Sequence, residues 1–275
     1  MEFIQILESE KTICKSSTGK TRVNSDKYNY ANKLYKKPWG NEYLAYQNTE
    51  IGIWVLEVNK GMETSVHCHF KKDTILICLS GSFKINLYDS FRILNPIECL
   101  YIPREVFHGI HAYGDNCVLM EIELYTDTIK YTDKNDLLRL RDVFNRDKNR
   151  YETSITEEDD ETCKNMNFHE EHKYVINNTE VYIMKLNNIN DDEIYKLRNS
   201  KIFLLEGIIY NDNKRITAGS IIDVNKSISL ITGEIKIMSL HNIHEKYLNK
   251  LIYSKDHLKD YLTLNSLKNI GLTSG

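Results

Sequence analysis

The sequence predicts an all-β protein built from antiparallel barrels of the jelly-roll type. Short segments rich in β-branched and aromatic residues recur at near-regular spacing through residues 37–127. One such segment is Ile51–Val58, which ends at a Lys-Gly turn. In residues 83–88, apolar and polar side chains alternate, which predicts a strand with one buried face. Because no helical pattern separates these segments, we expect antiparallel pairing.

The remaining elements of the first half are assigned in order. Residues 1–36 show little periodicity and are assigned to an N-terminal arm, in which residues 16–21 are predicted to form a loop. Lys37, Pro38, Trp39 and Gly40 predict a turn that leads into a strand. Further strands are predicted at residues 74–79, 98–102 and 118–124. Residues 128–172 are predicted to form a helix, at residues 135–150, and then a solvated acidic linker around residues 157–161.

Strand signals return after this linker. They fall at residues 174–176, 181–186, 202–210, 220–224 and 228–240. Residues 204–207 and 218–222 weakly repeat the pattern of residues 78–81 and 96–100. We therefore predict a degenerate second barrel over residues 173–242, which lacks the paired histidines of the first. A short helical tail is predicted over residues 243–275.

Composition excludes several classes of function. The formal net charge of −3 gives no support to nucleic-acid binding. No apolar run approaches the roughly 18 residues that a membrane span needs. The first residues lack the basic and apolar regions of a signal peptide, so we expect a cytoplasmic protein. The six cysteines show no CxxC spacing and are interpreted as reduced, apolar side chains.

Three histidines form the candidate reactive centre. His67 and His69 are two residues apart in a strand-like stretch, so their side chains project to the same face. His108 follows Pro103, which ends another predicted strand. This spacing is compatible with a three-nitrogen metal site inside a small barrel. Three neutral imidazoles suit Zn, Fe, Mn or Ni and leave positions open for a substrate.

The spacing of Gly61, His67, His69, Gly81, Pro103 and His108 resembles the two signature motifs of the cupin superfamily. The opening at Lys37–Gly40 is similar to the start of the cupin domains of mannose-6-phosphate isomerase-like proteins. The resemblance covers residues 37–127. It implies a jelly-roll barrel with a divalent metal held by two histidines, a glutamate and a third histidine. It also implies a homodimer.

One expected ligand is missing from this pattern. Thr74 stands where the family has its glutamate, and Glu105 replaces the glycine expected after Pro103. Asp73 can serve instead only if a bulge turns it inward, because neighbouring side chains in a strand alternate. Three alternatives stay open. The site uses three histidines alone, it recruits Asp73 or Glu63, or it is weakened.

Other residues around the histidines suit the chemistry of a sugar isomerase. A metal there can polarise a carbonyl, while a nearby base moves a proton. The candidate bases are Glu121, Glu123 and Tyr101. Lys71, Lys72 and Arg104 flank the histidines and are candidates to bind a phosphate. His111 is a candidate substrate contact.

A shorter resemblance lies at the end of the chain. Residues 271–275 are similar to the first strand and turn of the cytidylyltransferase-like nucleotidyltransferases, although the later motifs of that family are absent. This resemblance implies a further nucleotidyltransferase domain.

Three functions follow from these observations. The first is a metal-dependent isomerase or epimerase that acts on a phosphorylated or nucleotide-linked sugar in polysaccharide precursor synthesis. The second is a non-catalytic sugar-binding or dimerising module attached to a nucleotidyltransferase. The third is a three-His iron dioxygenase.

Overall fold

The computed structural model describes residues 1–17, 30–126, 129–146, 156–159, 166–187, 200–211, 214–222 and 230–243. Within them the chain forms one helix, α1 (Glu8–Ser17), and three β-sheets. No helix in these ranges is long and apolar enough to cross a membrane. The strands of the N-terminal part are β1 (Glu2–Phe3), β2 (Lys33–Lys37), β3 (Gly40–Gln47), β4 (Ile51–Val58), β5 (Val66–Cys68), β6 (Lys72–Ser80), β7 (Phe83–Leu87), β8 (Phe91–Leu94), β9 (Cys99–Ile102), β10 (His108–Ala112), β11 (Cys117–Tyr125) and β12 (Leu138–Arg141). Those that follow are β13 (Thr156–Asp159), β14 (His172–Ile176), β15 (Thr179–Leu186), β16 (Lys201–Asn211), β17 (Lys214–Ile216), β18 (Ile221–Ile222) and β19 (Leu230–Asn242).

Two sheets enclose the first core. An eight-stranded sheet has the order β1-β9-β6-β11-β4-β3-β2-β13, and a five-stranded sheet has the order β12-β5-β10-β7-β8. Their inner faces share one apolar cluster that includes Trp54, Leu76, Phe83, Ile85 and Leu119. The all-β class and every strand predicted between residues 51 and 124 are confirmed.

The predicted turn at residues 37–40 is a two-residue hairpin between β2 and β3. Gly40 has φ +148°, and a Cβ at this position would lie 2.0 Å from the carbonyl oxygen of Glu57. Only glycine fits so close an approach to β4. The hairpin places Lys37 and Trp39 beside the recess described below.

The N-terminal arm contains a helix that was not predicted, and Ser16 and Ser17 of the predicted loop form its last residues. Helix α1 buries Cys14 against an apolar cluster on β5, β12 and Phe107. The buried carboxylate of Glu10 accepts hydrogen bonds from the backbone N–H groups of Leu7 and Phe107, at 2.9 and 2.8 Å. The helix carries few apolar residues, so its buried side is too narrow to give a clear periodic signal.

The helix predicted at residues 135–150 is wrong over residues 135–146, the part of that range that the structure describes. Residues Leu138–Arg141 form β12, which pairs with β5 at the edge of the five-stranded sheet. Just before it, the Asp136 carboxylate accepts hydrogen bonds from the backbone N–H groups of Phe70 and Lys71. These long-range contacts outweigh a weak helical periodicity.

The acidic run is not a free linker. Residues Thr156–Asp159 form β13, which pairs with β2 and extends the eight-stranded sheet. Strand pairing satisfies the backbone of this segment in spite of its poor intrinsic preference for strands.

The C-terminal strands form a six-stranded antiparallel sheet of β14, β15, β19, β16 and β17, with β18 paired to β16. Phe203, Met238 and Leu240 on one face pack against Ile53, Ile75 and other residues on the outer face of the eight-stranded sheet. The opposite face carries a separate apolar cluster that includes Leu204 and Ile237. Among the residues described after 166 there is this one sheet, so closure into a second barrel stays a prediction. The predicted tail after Ile243 and residues 271–275 lie outside the described residues.

Candidate functional site

The three predicted histidines meet on the inner face of the barrel. His67 lies on β5 opposite His108 on β10, and His69 immediately follows β5. Their ring centroids are 4.9 to 5.5 Å apart. One nitrogen from each ring lies within 4.8 Å of those of the other two. The structure therefore brings together the residues that the spacing of the motif predicted.

Backbone carbonyl groups fix the orientation of each ring. Every Nδ1 lies within hydrogen-bonding distance of a carbonyl oxygen, so Nδ1 carries the proton and donates it. The Nε2 lone pairs are thereby left to point into the site. The accepting carbonyls belong to Ser65, Asp136 and Val106, at 2.9, 2.5 and 3.0 Å from His67, His69 and His108 respectively.

The surroundings keep all three imidazoles neutral at neutral pH. Burial is the largest cause in each case, and it lowers the pKa of His67 and of His69 well below the ordinary range. For His108, burial lowers the pKa to about 4. The ammonium of Lys72 adds a smaller electrostatic lowering of the pKa of each ring. Neutral imidazole is the form that binds a metal.

The residues present fit a divalent metal with nitrogen ligands. The Nε2 atom of His69 is buried and has no hydrogen-bond partner, which is costly unless another group binds there. Three converging nitrogens leave coordination positions open. Thr74 faces inward at the position of the expected carboxylate, and its buried Oγ1 also lacks a hydrogen-bond partner among the described residues.

The structure does not bring Asp73 to the histidines, which corrects its assignment as a ligand. Its carboxylate accepts hydrogen bonds from the Tyr101 hydroxyl at 2.7 Å and the Arg104 backbone N–H at 2.9 Å. The Arg104 guanidinium lies 3.3 Å away. Strand alternation puts Asp73 on the face opposite Thr74. Tyr101 and Arg104 share that outer face, so neither occupies the catalytic or phosphate-binding position predicted for it.

His111 and Lys71 also point elsewhere. On β10, His111 is directed away from His108 and Ile110 and lies 3.3 Å from the Glu63 carboxylate. This contact also removes Glu63 as a metal ligand. The Lys71 ammonium lies 3.4 Å from Asp133. Neither His111 nor Lys71 lines the recess at the histidines.

Lys72 and Glu123 form a buried ion pair beneath the histidines. Their side chains are 1% and 0% exposed, and the Thr132 hydroxyl also donates to the Glu123 carboxylate. Burial alone raises the pKa of Glu123, but the charges of Lys72 and Lys134 outweigh it and lower that pKa. Burial alone lowers the pKa of Lys72, and the Glu123 and Glu121 carboxylates outweigh it in turn. Lys72 and Glu123 are therefore both ionised, and their opposite charges cancel.

The histidines line a recess with an enclosed volume of about 60 Å³ that opens to solvent. Glu121 lines this recess, as its assignment as a base requires, and burial raises the pKa of its carboxyl. Apolar side chains form part of the wall. They belong to Trp39, Leu56, Ile110 and Leu137.

Cationic residues around the recess were missed from the sequence, apart from Lys72. Lys37, Lys134, Arg139 and Arg146 line it together with Lys72. Arg139 is buried, and its Nε donates to Ser65 Oγ at 3.2 Å. Lys134 lies 3.6 Å from the centre of the Trp54 ring, with the geometry of a cation–π contact. Lys134, Arg139 and Arg146 come after the barrel motifs in sequence, in the region predicted to form a helix and a linker. No local sequence pattern therefore indicated that they lie at the site.

Comparison with known proteins supports a cupin-type domain. Residues 23–142 match the family model of the mannose-6-phosphate isomerase C-terminal domain, which is cupin-type. This match confirms the resemblance noted in the sequence and extends beyond residues 37–127 at both ends.

Two curated relatives match part of the chain. A mannose-1-phosphate guanylyltransferase from Sinorhizobium fredii is 26% identical over 106 residues, which are 38% of this chain and 20% of that protein. A TDP-4-oxo-6-deoxy-alpha-D-glucose-3,4-oxoisomerase from Aneurinibacillus thermoaerophilus is 28% identical over 100 residues, 34% of this chain and 68% of that protein. The chain thus spans about a fifth of the length of the first relative.

Among solved structures, the capsular polysaccharide assembling protein CapF from Staphylococcus aureus is similar at 18% identity and a TM-score of 0.33. The match covers 39% of this chain and 34% of that one.

Proposed function

We propose that the recess binds a phosphorylated or nucleotide-linked sugar and that His67, His69 and His108 hold a divalent metal at its floor. The reaction class is isomerisation or epimerisation, in the synthesis of a polysaccharide precursor. The observation that carries the proposal is the cluster of three imidazoles, in which one nitrogen of each ring lies within 4.8 Å of those of the other two and each Nδ1 is bonded to a carbonyl oxygen.

The recess offers groups for each part of such a reaction. A metal bound to the three nitrogens supplies Lewis-acid polarisation of a sugar carbonyl. Glu121 moves the proton, because burial raises the pKa of its carboxyl toward the working range of a general acid or base. Trp39 and Leu137 exclude water from the sugar ring.

Positive charge in the recess favours an anionic substrate. Arg139 presents a planar guanidinium, which matches the geometry of phosphate oxygens. Lys37 and Lys134 share the Glu42 carboxylate, at 3.5 and 3.6 Å, and so concentrate two cations around one anion. A phosphate or diphosphate group on the substrate is the partner that this wall suits.

The names of the two curated relatives agree with this substrate class. One is an oxoisomerase of a TDP-linked sugar, and the other is a guanylyltransferase of mannose 1-phosphate. Both names describe proteins that handle activated or phosphorylated sugars, which supports the proposal for the aligned part of this chain.

Elemental analysis and thermal shift test the proposal together. We expect stoichiometric metal in protein purified without chelators, and loss of that metal in His69→Ala. We also expect a higher unfolding temperature with one or more nucleoside diphosphate sugars or sugar phosphates, because a ligand that binds only the native state stabilises it. Turnover by metal-free protein would refute metal dependence and leave the imidazoles themselves as the proton-transfer groups.

The position of Thr74 favours a second function, that of a non-catalytic sugar-binding module attached to a nucleotidyltransferase. A carboxylate ligand is absent there, and Glu123 on the adjacent strand is neutralised by Lys72. In that case sugar binding persists in the His variants, and no substrate of the panel is converted.

The proposal also includes the quaternary state and the location expected from the sequence, a homodimer in the cytoplasm. Light scattering coupled to size-exclusion chromatography measures the number of subunits directly. A mass of one chain at micromolar concentration would refute the dimer.

A further inference from the structure

We infer that Cys14 and Cys68 form a site of oxidative modification, at which a peroxide converts two thiols into an intramolecular disulfide. The bond would join helix α1 to strand β5. This inference stands independently of the proposed function, since it concerns the opposite side of the strand that carries His67.

The two sulfur atoms are already in contact. Their Sγ atoms are 3.7 Å apart, and the side chains are 1% and 0% exposed. A disulfide has an S–S length of about 2.0 Å, so the sulfurs need to approach by less than roughly 2 Å. Neither cysteine is in a disulfide in the structure, so both sulfurs are in the reduced state. Rotation of side chains within one apolar cluster supplies a movement of this size.

Two other described cysteines are turned toward the backbone instead. The Sγ of Cys78 lies 3.5 Å from the carbonyl oxygens of Ser80 and Gly81. The Sγ of Cys117 lies 3.2 Å from the carbonyl oxygen of Gly114. These contacts orient each thiol toward a backbone acceptor. The Sγ of Cys14 also lies 3.6 Å from the carbonyl oxygen of Glu105, but it contacts in addition a second thiol, that of Cys68.

The position of α1 gives a small oxidant a short route to the pair. Helix α1 is the layer between the apolar cluster and solvent. Glu8, Thr12 and Lys15, on the side of the helix that faces away from the cluster, are exposed. Opening of one ten-residue helix costs less than opening of the barrel. Cys14 is therefore the sulfur that a peroxide reaches first.

The chemistry balances with one peroxide molecule for each disulfide. The Cys14 sulfur attacks a peroxide oxygen, the O–O bond breaks, and a sulfenic acid and one water are produced. The Cys68 sulfur then attacks the sulfenic sulfur, forms the S–S bond and releases a second water. Two thiols lose one electron each, and hydrogen peroxide is reduced to two molecules of water.

The disulfide would join α1 to β5 at a position between two of the histidines. Cys68 lies between His67 and His69 in sequence, and Glu10 of the same helix is bonded to the backbone N–H of Phe107, next to His108. Oxidation therefore fixes the helix against both strands that carry the histidines.

Peptide mapping after treatment with hydrogen peroxide tests the inference. The full chain is exposed to peroxide, alkylated without reduction and digested with trypsin. We expect residues 12–15 linked to residues 61–71, with a mass lower by two hydrogen atoms than the sum of the reduced peptides, and loss of this species after dithiothreitol. Oxidised protein should unfold at a temperature roughly 5–10 °C higher, because the bond closes a long loop.

Single substitutions supply the controls. Cys14→Ala and Cys68→Ala should each abolish the linked peptide and the temperature shift, and either one suffices if the other fails to fold. Cys99→Ala should retain both. The inference fails if peroxide oxidises other cysteines while the linked peptide is absent, or if Cys14→Ala shows the same shift as the wild type.

Discussion

Thr74 on β6 and Glu123 on β11 are directly opposite each other in the eight-stranded sheet, and both face the interior of the barrel. The first occupies the position where the cupin motif implies a metal-binding carboxylate. The second is a carboxylate on the adjacent strand, but Lys72 and Thr132 hold it. A hydroxyl, that of Thr74, therefore stands where the motif implies a carboxylate. The carboxylate beside it, that of Glu123, is already neutralised by Lys72.

We predict that the Lys72–Glu123 pair is strongly coupled. Lys72→Met leaves the Glu123 carboxylate buried and unpaired, so it should lower the free energy of unfolding by about 3–5 kcal/mol. The double variant Lys72→Met/Glu123→Gln removes both charges and should cost less than about 2 kcal/mol. Urea unfolding measures both values. Additive losses in the double variant would contradict the pairing.

Arg139, and not Arg104, should contribute to ligand binding. Arg139 lines the recess, whereas Arg104 is half-exposed on the outer face beside Asp73. For a nucleoside diphosphate sugar found to bind the wild type, Arg139→Gln should raise the Kd roughly tenfold, about 1.4 kcal/mol, through loss of a charged contact. Arg104→Gln is the matched control and should leave the Kd unchanged in the same calorimetric titration. An equal effect of both variants would refute the placement of the anion.

Glu105 holds a conformation that glycine adopts more easily. Its φ is +66°, and its backbone N–H donates to the His69 carbonyl oxygen at 2.7 Å. Glu105→Gly relieves this left-handed strain and should stabilise the fold by about 0.5–1 kcal/mol. Glu57→Gly, at an exposed position of β4, should instead destabilise it by a similar amount. Thermal unfolding of the two variants should therefore shift in opposite directions.

Packing of the C-terminal sheet on the barrel can be tested with two glycines of similar φ. Gly219 and Gly233 have φ values of +82° and +79°. A Cβ on Gly219 would lie 2.2 Å from Leu124 Cδ2 of the barrel, whereas a Cβ on Gly233 meets nothing within 4 Å. Gly219→Ala should cost about 1–3 kcal/mol more than Gly233→Ala, because only the former overpacks the interface. Equal losses in chemical denaturation would show that the two sheets do not pack there.

The barrel and its histidines could be predicted because their signals are local. Alternation in β7 and the i, i+2 spacing of His67 and His69 depend only on the pleat of a strand. The same rule correctly indicated that Asp73 turns away from the interior when Thr74 faces inward.

The cationic wall and helix α1 could not be predicted because their positions depend on long-range contacts. Arg139 reaches the recess only because β12 pairs with β5, some seventy residues earlier in the chain. The backbone of that segment is fixed by Asp136, whose partners Phe70 and Lys71 are equally distant in sequence. Similarly, α1 is stabilised by the contacts of Glu10 and Cys14 with the barrel and not by its own periodicity.

Exchange of substrate protons with solvent deuterium is the measurement that tests the central claim most directly. Isomerisation beside a sugar carbonyl removes a carbon-bound proton, which in D₂O is replaced by deuterium and detected by NMR. With nucleoside diphosphate oxo-sugars and sugar phosphates as substrates, we expect incorporation by the wild-type chain, a loss of at least roughly a hundredfold in His69→Ala and in Glu121→Gln, and no loss in Arg104→Gln. Deuterium incorporation that is unchanged in His69→Ala, or a wild-type chain that binds these sugars without any exchange, would contradict the account.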